Sequence, residues 1–578
     1  MTAKDEISKT RRILLLKTGK KGMIKSKSQE CIMELTGIVT AKEEFLYPDS
    51  LCGRLPEELQ ITMAGNGRPG IQLILETRGK KVNFFLKGRG FCGEWYEMKD
   101  IPVEYNTGDG VSQGGAMVLE TPPGVKPDYV TRLAPFRVYD CLCRTDSGEI
   151  SVKNRKAAAY LCLVPDKDLE PGEYHLSLGA ETEEGFWECS VSVKVCSVRI
   201  PEDAFPVTNW FSLEAISRFH HVEMGTPEYL DMLRAYIRAM RRLHQKIFYI
   251  QLDEQCVNIK EPIAFDFEYL TPVIQCFFEE GMEIMEIGAL LHRGFLPDGS
   301  PDMYTDSFTC MMDKNLKFDT LEGYVHTVKL VQALASYLKK HGWEKKILFH
   351  IHDEPDIHVK NQAALESRRR QYYLAAGILR KYLPGVQIIE AVDTAEFYGG
   401  VDIWVPGTAG YEKKKAEFDQ LIHLGETVWT YVCCGPEGEW LNRFLDFHLI
   451  RGRLLFWGCA RNRISGFLHW GFNQFPGGMD PFKGTSCPND TGIGTAFPCG
   501  DSFLVYPGKE GPEISMRLEA QRRGAEDAAL WGLLLKKDPQ LHDRLLDQMF
   551  TNNYTYSRDP EKFDRVYTQL LESLEKYS

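Results

Sequence analysis

The chain has 578 residues, 43% hydrophobic and 11% aromatic, enough to bury large cores in two or three domains. A net charge of −12, with no long Lys/Arg run beyond the first residues, speaks against nucleic acid or an anionic membrane as partner. It suits a neutral or cationic small ligand. The sixteen cysteines are scattered, without a CxxC pair, and sit mostly in strand-like runs such as Cys141-Leu142-Cys143 and Val432-Cys433-Cys434. This usage fits free thiols in a reducing cytoplasm, and neither a metal nor a cofactor is expected.

Residues 1–35 form a basic leader without periodicity, expected to be loosely ordered. The opening Met1-Thr2-Ala3-Lys4-Asp5-Glu6 is charged and the apolar run Ile13-Leu14-Leu15-Leu16 is short. Neither a signal peptide nor a membrane span is therefore expected, and the expected location is cytoplasmic. Over residues 36–200, short strand-like runs alternate with Gly, Pro, Asn and Asp, among them Gly70–Glu76, Lys81–Leu86, Ala158–Val164 and Gly172–Leu178. That rhythm predicts an all-β sandwich domain. After Pro201 the rhythm changes. Expected strands at Pro206–Phe211, Lys246–Gln251, Glu283–Leu290, Lys346–His352, Val386–Val392, Asp402–Val405, Thr427–Cys433 and Ile464–Trp470 alternate with expected helices. The helices are Glu228–Gln245, Thr320–Lys340, Ala363–Tyr382, Lys413–Leu424, Leu441–Arg461 and Glu513–Lys536. Eight such strands predict an α/β fold, a (β/α)8 TIM-type barrel over residues 201–540 that would be the catalytic domain. Residues 541–578 are expected to pack on it as a helical segment. The long Gly/Pro-rich connection Gln474–Pro512 is of the kind that carries function.

Barrel enzymes work at the C-terminal ends of their strands. The expected ends here carry Asn209 and Trp210; Tyr249, Gln251 and Asp253; His292; His352, Asp353 and Glu354; Glu390 and Asp393; Trp404; Trp429 and Tyr431; and His469, Trp470 and Asn473. Aromatic faces stack on sugar C–H groups while amides, imidazoles and acids read hydroxyls, so an oligosaccharide or glycoconjugate glycan is the economical ligand. A homo-oligomer is left open.

The sharpest feature is Lys346-Ile347-Leu348-Phe349-His350-Ile351-His352-Asp353-Glu354-Pro355, an apolar strand ending in two adjacent acids. Successive side chains of a strand point to opposite faces, so Asp353 and Glu354 can share one site only where the pleat breaks down. Pro355 biases Glu354 toward extended backbone. A helix cap before Ala363–Tyr382 is the bland alternative. Two further chemistries compete. His350 and His352 resemble an HxH metal pair, although that signature belongs on a first barrel strand and this is about the fourth. A two-carboxylate glycosidase would pair Glu354 with Glu390, Asp393 or Asp402, and would leave Asp353 idle.

The runs His352-Asp353-Glu354-Pro355, Val401–Pro406, Val428-Trp429-Thr430-Tyr431 with Gly435-Pro436 and Asn442-Arg443-Phe444, Gly466–Asn473, and Gly500-Asp501 with Tyr506-Pro507-Gly508 together resemble glycoside hydrolase family 123 and the related domain of unknown function 4091. The resemblance spans about Pro201 to Asp527 and implies retaining, exo-acting β-N-acetylgalactosaminidase-like chemistry by substrate assistance. In that chemistry the sugar's 2-acetamido oxygen attacks the anomeric carbon and forms an oxazoline, with no protein nucleophile. By the same resemblance Glu354 matches the general acid/base and Asp353 the group that orients the acetamido N–H. Tyr431 matches a donor to the acetamido oxygen, with Trp429 and Trp470 as walls of the pocket. Trp210, Gln251, His292, His352, Trp404, His469 and Asn473 complete the expected sugar-binding set. Members of the family are often exported, whereas an intracellular enzyme trimming imported oligosaccharides is expected here. A carbohydrate-binding barrel without turnover is the rival from another class.

Overall fold

The computed structural model describes residues 35–577 apart from 111–116, 121, 204 and 490–495. Nearly all of the basic leader therefore lies outside the described residues. The rest is a mixed α/β protein with many sheets. Among the described residues no helix is long and apolar enough to cross a membrane, and the described cysteines are free thiols.

The N-terminal part holds a five-stranded sheet and six strands of an eight-stranded one, which Tyr506–Pro507 and Pro512–Ser515 complete. Alternation places their facing side chains in one core. On the strand Lys156–Pro165, Ala157, Ala159, Leu161 and Leu163 join Val82, Phe84, Leu178 and Val191 of the other sheet. The intervening Ala158, Tyr160 and Cys162 join the larger core behind. The strand is apolar on both faces because both faces are covered.

Nine short parallel segments follow: β1 (Val207–Asn209), β2 (Ile247–Gln251), β3 (Ile284–Gly288), β4 (Ile347–His350), β5 (Gln387–Glu390), β6 (Ile403–Trp404), β7 (Thr427–Val428), β8 (Thr430–Tyr431) and β9 (Phe467–His469). β2 to β7 pair consecutively in one sheet, and β8 pairs with β9, which pairs with β1. β7 and β8 are one run interrupted at Trp429. Between β1 and β2 a side chain replaces the ladder: Gln245 Oε1 accepts from Asn209 N (3.0 Å) and Nδ2 (3.1 Å), while its Nε2 donates to the Asn209 (3.2 Å) and Ile247 (2.8 Å) carbonyls. Alternate residues of these strands, among them Ile247, Leu348, Ile389, Ile403, Val405, Trp429, Tyr431 and Leu468, form a separate interior cluster.

Helices connect the strands: α1 (Leu213–His220), α2 (Pro227–Arg242), α3 (Thr271–Glu279), α4 (Leu321–His341), α5 (Gln362–Tyr382), α6 (Thr408–Lys413), α7 (Lys415–His423) and α8 (Ile450–Arg461), with α9 (Met516–Lys537) after the last strand. α2 shows why they form. Thr226 accepts from Tyr229 N as cap, Pro227 starts the first turn, and Tyr229, Leu233, Tyr236, Ile237 and Met240 bury one stripe. Two expected helices start late. Residues 441–449 are irregular because Asn442 donates to the Cys433 (3.0 Å) and Pro436 (3.2 Å) carbonyls, and Asp446 accepts from Thr107 N (2.7 Å). Pro512–Ser515 is a strand, pairing Ile514 with Leu142 of the N-terminal sheet, and Ser515 then caps α9.

Candidate active site

β4 ends at His350, two residues earlier than the apolar run suggests, so Ile351 and His352 already lie beyond the strand. Glu354 has φ = 52°, in the left-handed region rather than the extended one that Pro355 favours. Arg293 compensates for the strain, its Nη2 donating to the Asp353 (3.1 Å) and Glu354 (2.7 Å) carbonyls. Arg368, fully buried on α5, secures the following loop by donating to the Thr305 (2.7 Å), Met303 (3.0 Å), Pro355 (3.2 Å) and Ile357 (2.7 Å) carbonyls.

This geometry gives the two acids different neighbours. Asp353 is 60% exposed at its side chain and faces His350, whose Nε2 lies 3.7 Å from Oδ1. Glu354 is half-buried and accepts a hydrogen bond from the Tyr431 hydroxyl at 2.5 Å. Burial first, then the charge of Asp353, pushes the Glu354 carboxyl up to about 7, against the opposing effects of Tyr431 and Arg293. Beneath the acids, His350 lies 3.1 Å from Glu390 Oε1 and 3.8 Å from Glu286 Oε1. Burial raises both buried carboxyls to about 7, opposed mainly by His350. For His350 burial works downward, but Glu390, Asp353 and Glu286 together lift it to about 9.

Around this centre, Trp210 stacks on Tyr249 (4.5 Å between centroids), meets His350 edge-on (5.1 Å) and donates from its indole to Glu286 at 3.1 Å. Gln251, exposed, follows Tyr249 on the same side of β2. Trp470, half-exposed two residues beyond the interior Leu468, donates to Asp501 at 3.1 Å. Trp429 lies deeper, on the same face as Tyr431, with its ring over Gly466, where any Cβ would come within 2.2 Å.

Other expected ligands are placed elsewhere. Trp404, 1% exposed, packs in the large outer core and not in the interior cluster with Trp429 and Tyr431. Asn473 is fully buried and spends both side-chain functions on Ser212, accepting from its N (2.7 Å) and donating to its carbonyl (3.0 Å). Asn209 is likewise consumed by Gln245 and Arg443. His469 is fully buried, and its Nδ1 accepts from Gly471 N (2.9 Å). His352 is buried and stacks on Phe308 (4.2 Å). Its ring lies against Phe308, whereas that of His350 lies against Trp210 and Glu390. His292 flanks the centre, accepting from Gly294 N at 2.9 Å, and burial holds its ring down to about 4, hence neutral. Asp253 caps the Gln255 N–H (2.8 Å).

The rival carboxylates are also committed. Glu390 Oε2 accepts from the Ile351 (3.1 Å) and His352 (3.2 Å) amides, and Asp393 Oδ1 accepts from Gly407 N (2.9 Å). Asp402 precedes β6, at the opposite strand end, where it binds Arg380 (3.1 Å) and Ile388 N (2.8 Å). Sequence reasoning missed Glu286, Arg293 and Arg368. Only Glu286 left a signal, as an acid inside the apolar run Ile284-Met285-Glu286-Ile287.

A solved family 123 glycoside hydrolase from Clostridium perfringens superposes with a TM-score of 0.67 at 13% identity, covering 94% of this chain and 99% of that one. A family 39 glycoside hydrolase from the gut symbiont Bacteroides cellulosilyticus WH2 is more distant, with a TM-score of 0.33 at 12% identity over 82% of each chain. No curated protein matches the sequence. The family model described as "Glycoside hydrolase 123, catalytic domain" matches residues 210–534, a stretch that holds Asp353, Glu354, Tyr431 and every residue placed around them. The chain belongs to glycoside hydrolase family 123 and acts on glycans.

Proposed function

We propose that the protein is a retaining exo-glycosidase that removes β-linked N-acetylgalactosamine, or another N-acetylhexosamine, by substrate assistance. The observation that carries this reading is the commitment of every rival carboxylate. Glu390 and Asp393 each accept backbone amides through one oxygen and Asp402 lies at the opposite strand end, and the reading gives the work to the adjacent Asp353 and Glu354. In this reading the nucleophile comes from the sugar. Glu354, with its carboxyl near 7, gives its proton to the leaving oxygen as the acetamido oxygen closes on the anomeric carbon. Asp353 accepts from the acetamido N–H and balances the positive charge of the ring that forms. Glu354, now a carboxylate, takes a proton from water, which opens the oxazoline with net retention. Tyr431, bonded to Glu354 in the free enzyme, is in place to pass its hydroxyl proton's hydrogen bond to the acetamido oxygen. Trp210, Gln251 and Trp470 line the sugar.

The architecture we favour is a (β/α)8 barrel over residues 201–540, closed at β1–β2 by Gln245, behind a β-sandwich over 36–200. The Clostridium perfringens enzyme acts in glycolipid glycan hydrolysis, and a glycoconjugate glycan is the substrate class proposed here. Hydrolysis of an aryl β-N-acetylgalactosaminide, with the glucosaminide and galactoside as controls, tests the reading. Turnover of acetamido sugars only, lost on the order of 10²-fold or more in Asp353→Asn and Glu354→Gln, is expected. Equal turnover of the galactoside contradicts it.

A further inference from the structure

His350 is 1% exposed, and carboxylates approach it from three sides. Glu390 Oε1 on β5 is 3.1 Å from Nε2, Asp353 Oδ1 is 3.7 Å from the same nitrogen, and Glu286 Oε1 on β3 is 3.8 Å from Nδ1. Tyr249 of β2 and His352 beyond β4 are the other titratable groups close by. Three acids around one buried ring need a cation among them, and an imidazolium supplies it with two N–H donors. Two of the acids are fixed. Glu390 Oε2 is tied to the Ile351 and His352 amides, and Glu286 is tied to Trp210 Nε1 and to Thr208 Oγ1 at 3.3 Å. Asp353 is the solvent-facing one, its side chain 60% exposed. Neither ring nitrogen of His350 has a well-formed hydrogen bond in the free protein, and neither has Glu390 Oε1. A short movement of Asp353 closes its 3.7 Å gap and satisfies Nε2.

We propose that His350 is a positioning residue, a buried cation that anchors Asp353 as a carboxylate aimed at the substrate's acetamido N–H while Glu354 beside it keeps its proton. The inference rests on the substrate-assisted reading above. No proton need leave His350 during the reaction: its charge fixes which of two adjacent acids is ionised. Trp210 extends the arrangement, linking the sugar-facing wall through Glu286 to the same ring.

The test compares wild type with His350→Gln on an aryl β-N-acetylgalactosaminide across pH, alongside binding of a thiazoline that mimics the cyclised intermediate. The expected result for His350→Gln is a kcat lower on the order of 10²-fold with KM little changed. The acid limb of its pH profile moves upward, because Asp353 has lost its counter-charge, and thiazoline binding weakens in parallel. A wild type silent on acetamido glycosides overturns the underlying reading. An active wild type whose His350→Gln variant keeps the acid limb and the thiazoline affinity overturns the role of His350 alone. Should the variant not fold, imidazole nitrogen NMR of the wild type decides. A ring protonated on both nitrogens at pH 7, whose titration falls in Asp353→Asn, is expected, and a neutral ring contradicts the inference.

Discussion

Glu354 is pulled two ways. Burial and the charge of Asp353 keep its proton on, while the Tyr431 hydroxyl, donating at 2.5 Å, favours the ionised form. A general acid works only while protonated, so kcat/KM is expected to fall as pH rises through about 7. Tyr431→Phe deletes a donor to the charged form, so the acid's pKa rises and the alkaline limb should move up by about one pH unit. The rate at the optimum should fall as well under the proposed function, in which Tyr431 is the donor to the acetamido oxygen. A pH profile of the variant checks both, and an unmoved limb would separate Tyr431 from the acid. Glu354 also shows how strain and function coincide: its left-handed backbone is tolerable because Arg293 grips the Asp353 and Glu354 carbonyls, one on each side of the Glu354 Cα.

The loop after β4 owes its shape to one helix residue. Arg368 on α5 donates to carbonyls of both the 303–305 and 355–358 segments and has no acid partner among its hydrogen bonds. Arg368→Met should cost about 3 kcal/mol, read by denaturant unfolding, and should expose both segments to proteolysis. Unchanged stability would mean that the loop holds itself. Such contacts are invisible in the chain order, which is why Arg368 and Arg293 escaped notice while the strands did not. β4 was legible because Ile347–Phe349 are buried on both faces, and an unbroken apolar run is the signature of that burial. Which way a strand-end side chain points was less legible. Ile403 and Trp404 are neighbours on β6, yet Ile403 points inward and Trp404 to the outer core. Asn473 and Asn209 read as sugar ligands by type, but their amides satisfy buried backbone or side-chain groups instead. The late start of α8 has the same cause. Asn442 and Asp446 bind neighbouring segments, and those bonds compete with the helix that the apolar spacing suggests.

Across the whole molecule, the N-terminal sheets and the parallel strands are joined by a polar core on α9. Glu519 accepts from Arg242 (2.6 Å), Arg522 (2.9 Å) and the Tyr160 hydroxyl (3.0 Å), and Asp527 from Arg453 (2.7 Å) and Trp457 (2.7 Å). Arg517 reaches Asp140 of the eight-stranded sheet at 3.0 Å. The alternation of Ala158, Tyr160 and Cys162 toward this side makes one face of the eight-stranded sheet part of the same core as the helices. The accessory sheets therefore brace the frame that carries β4, and with it the Asp353–Glu354 pair. What that frame presents is a half-buried acid whose carboxyl is pushed up to about 7 beside an exposed one, and the proposed function takes the attacking oxygen from the substrate's acetamido group. The most direct measurement is the rate of hydrolysis of a series of aryl glycosides whose 2-acetamido group carries zero to three fluorines. Substrate assistance predicts that kcat/KM falls steeply with each fluorine, as the carbonyl oxygen loses nucleophilicity. A rate insensitive to fluorination would mean that a protein carboxylate attacks instead.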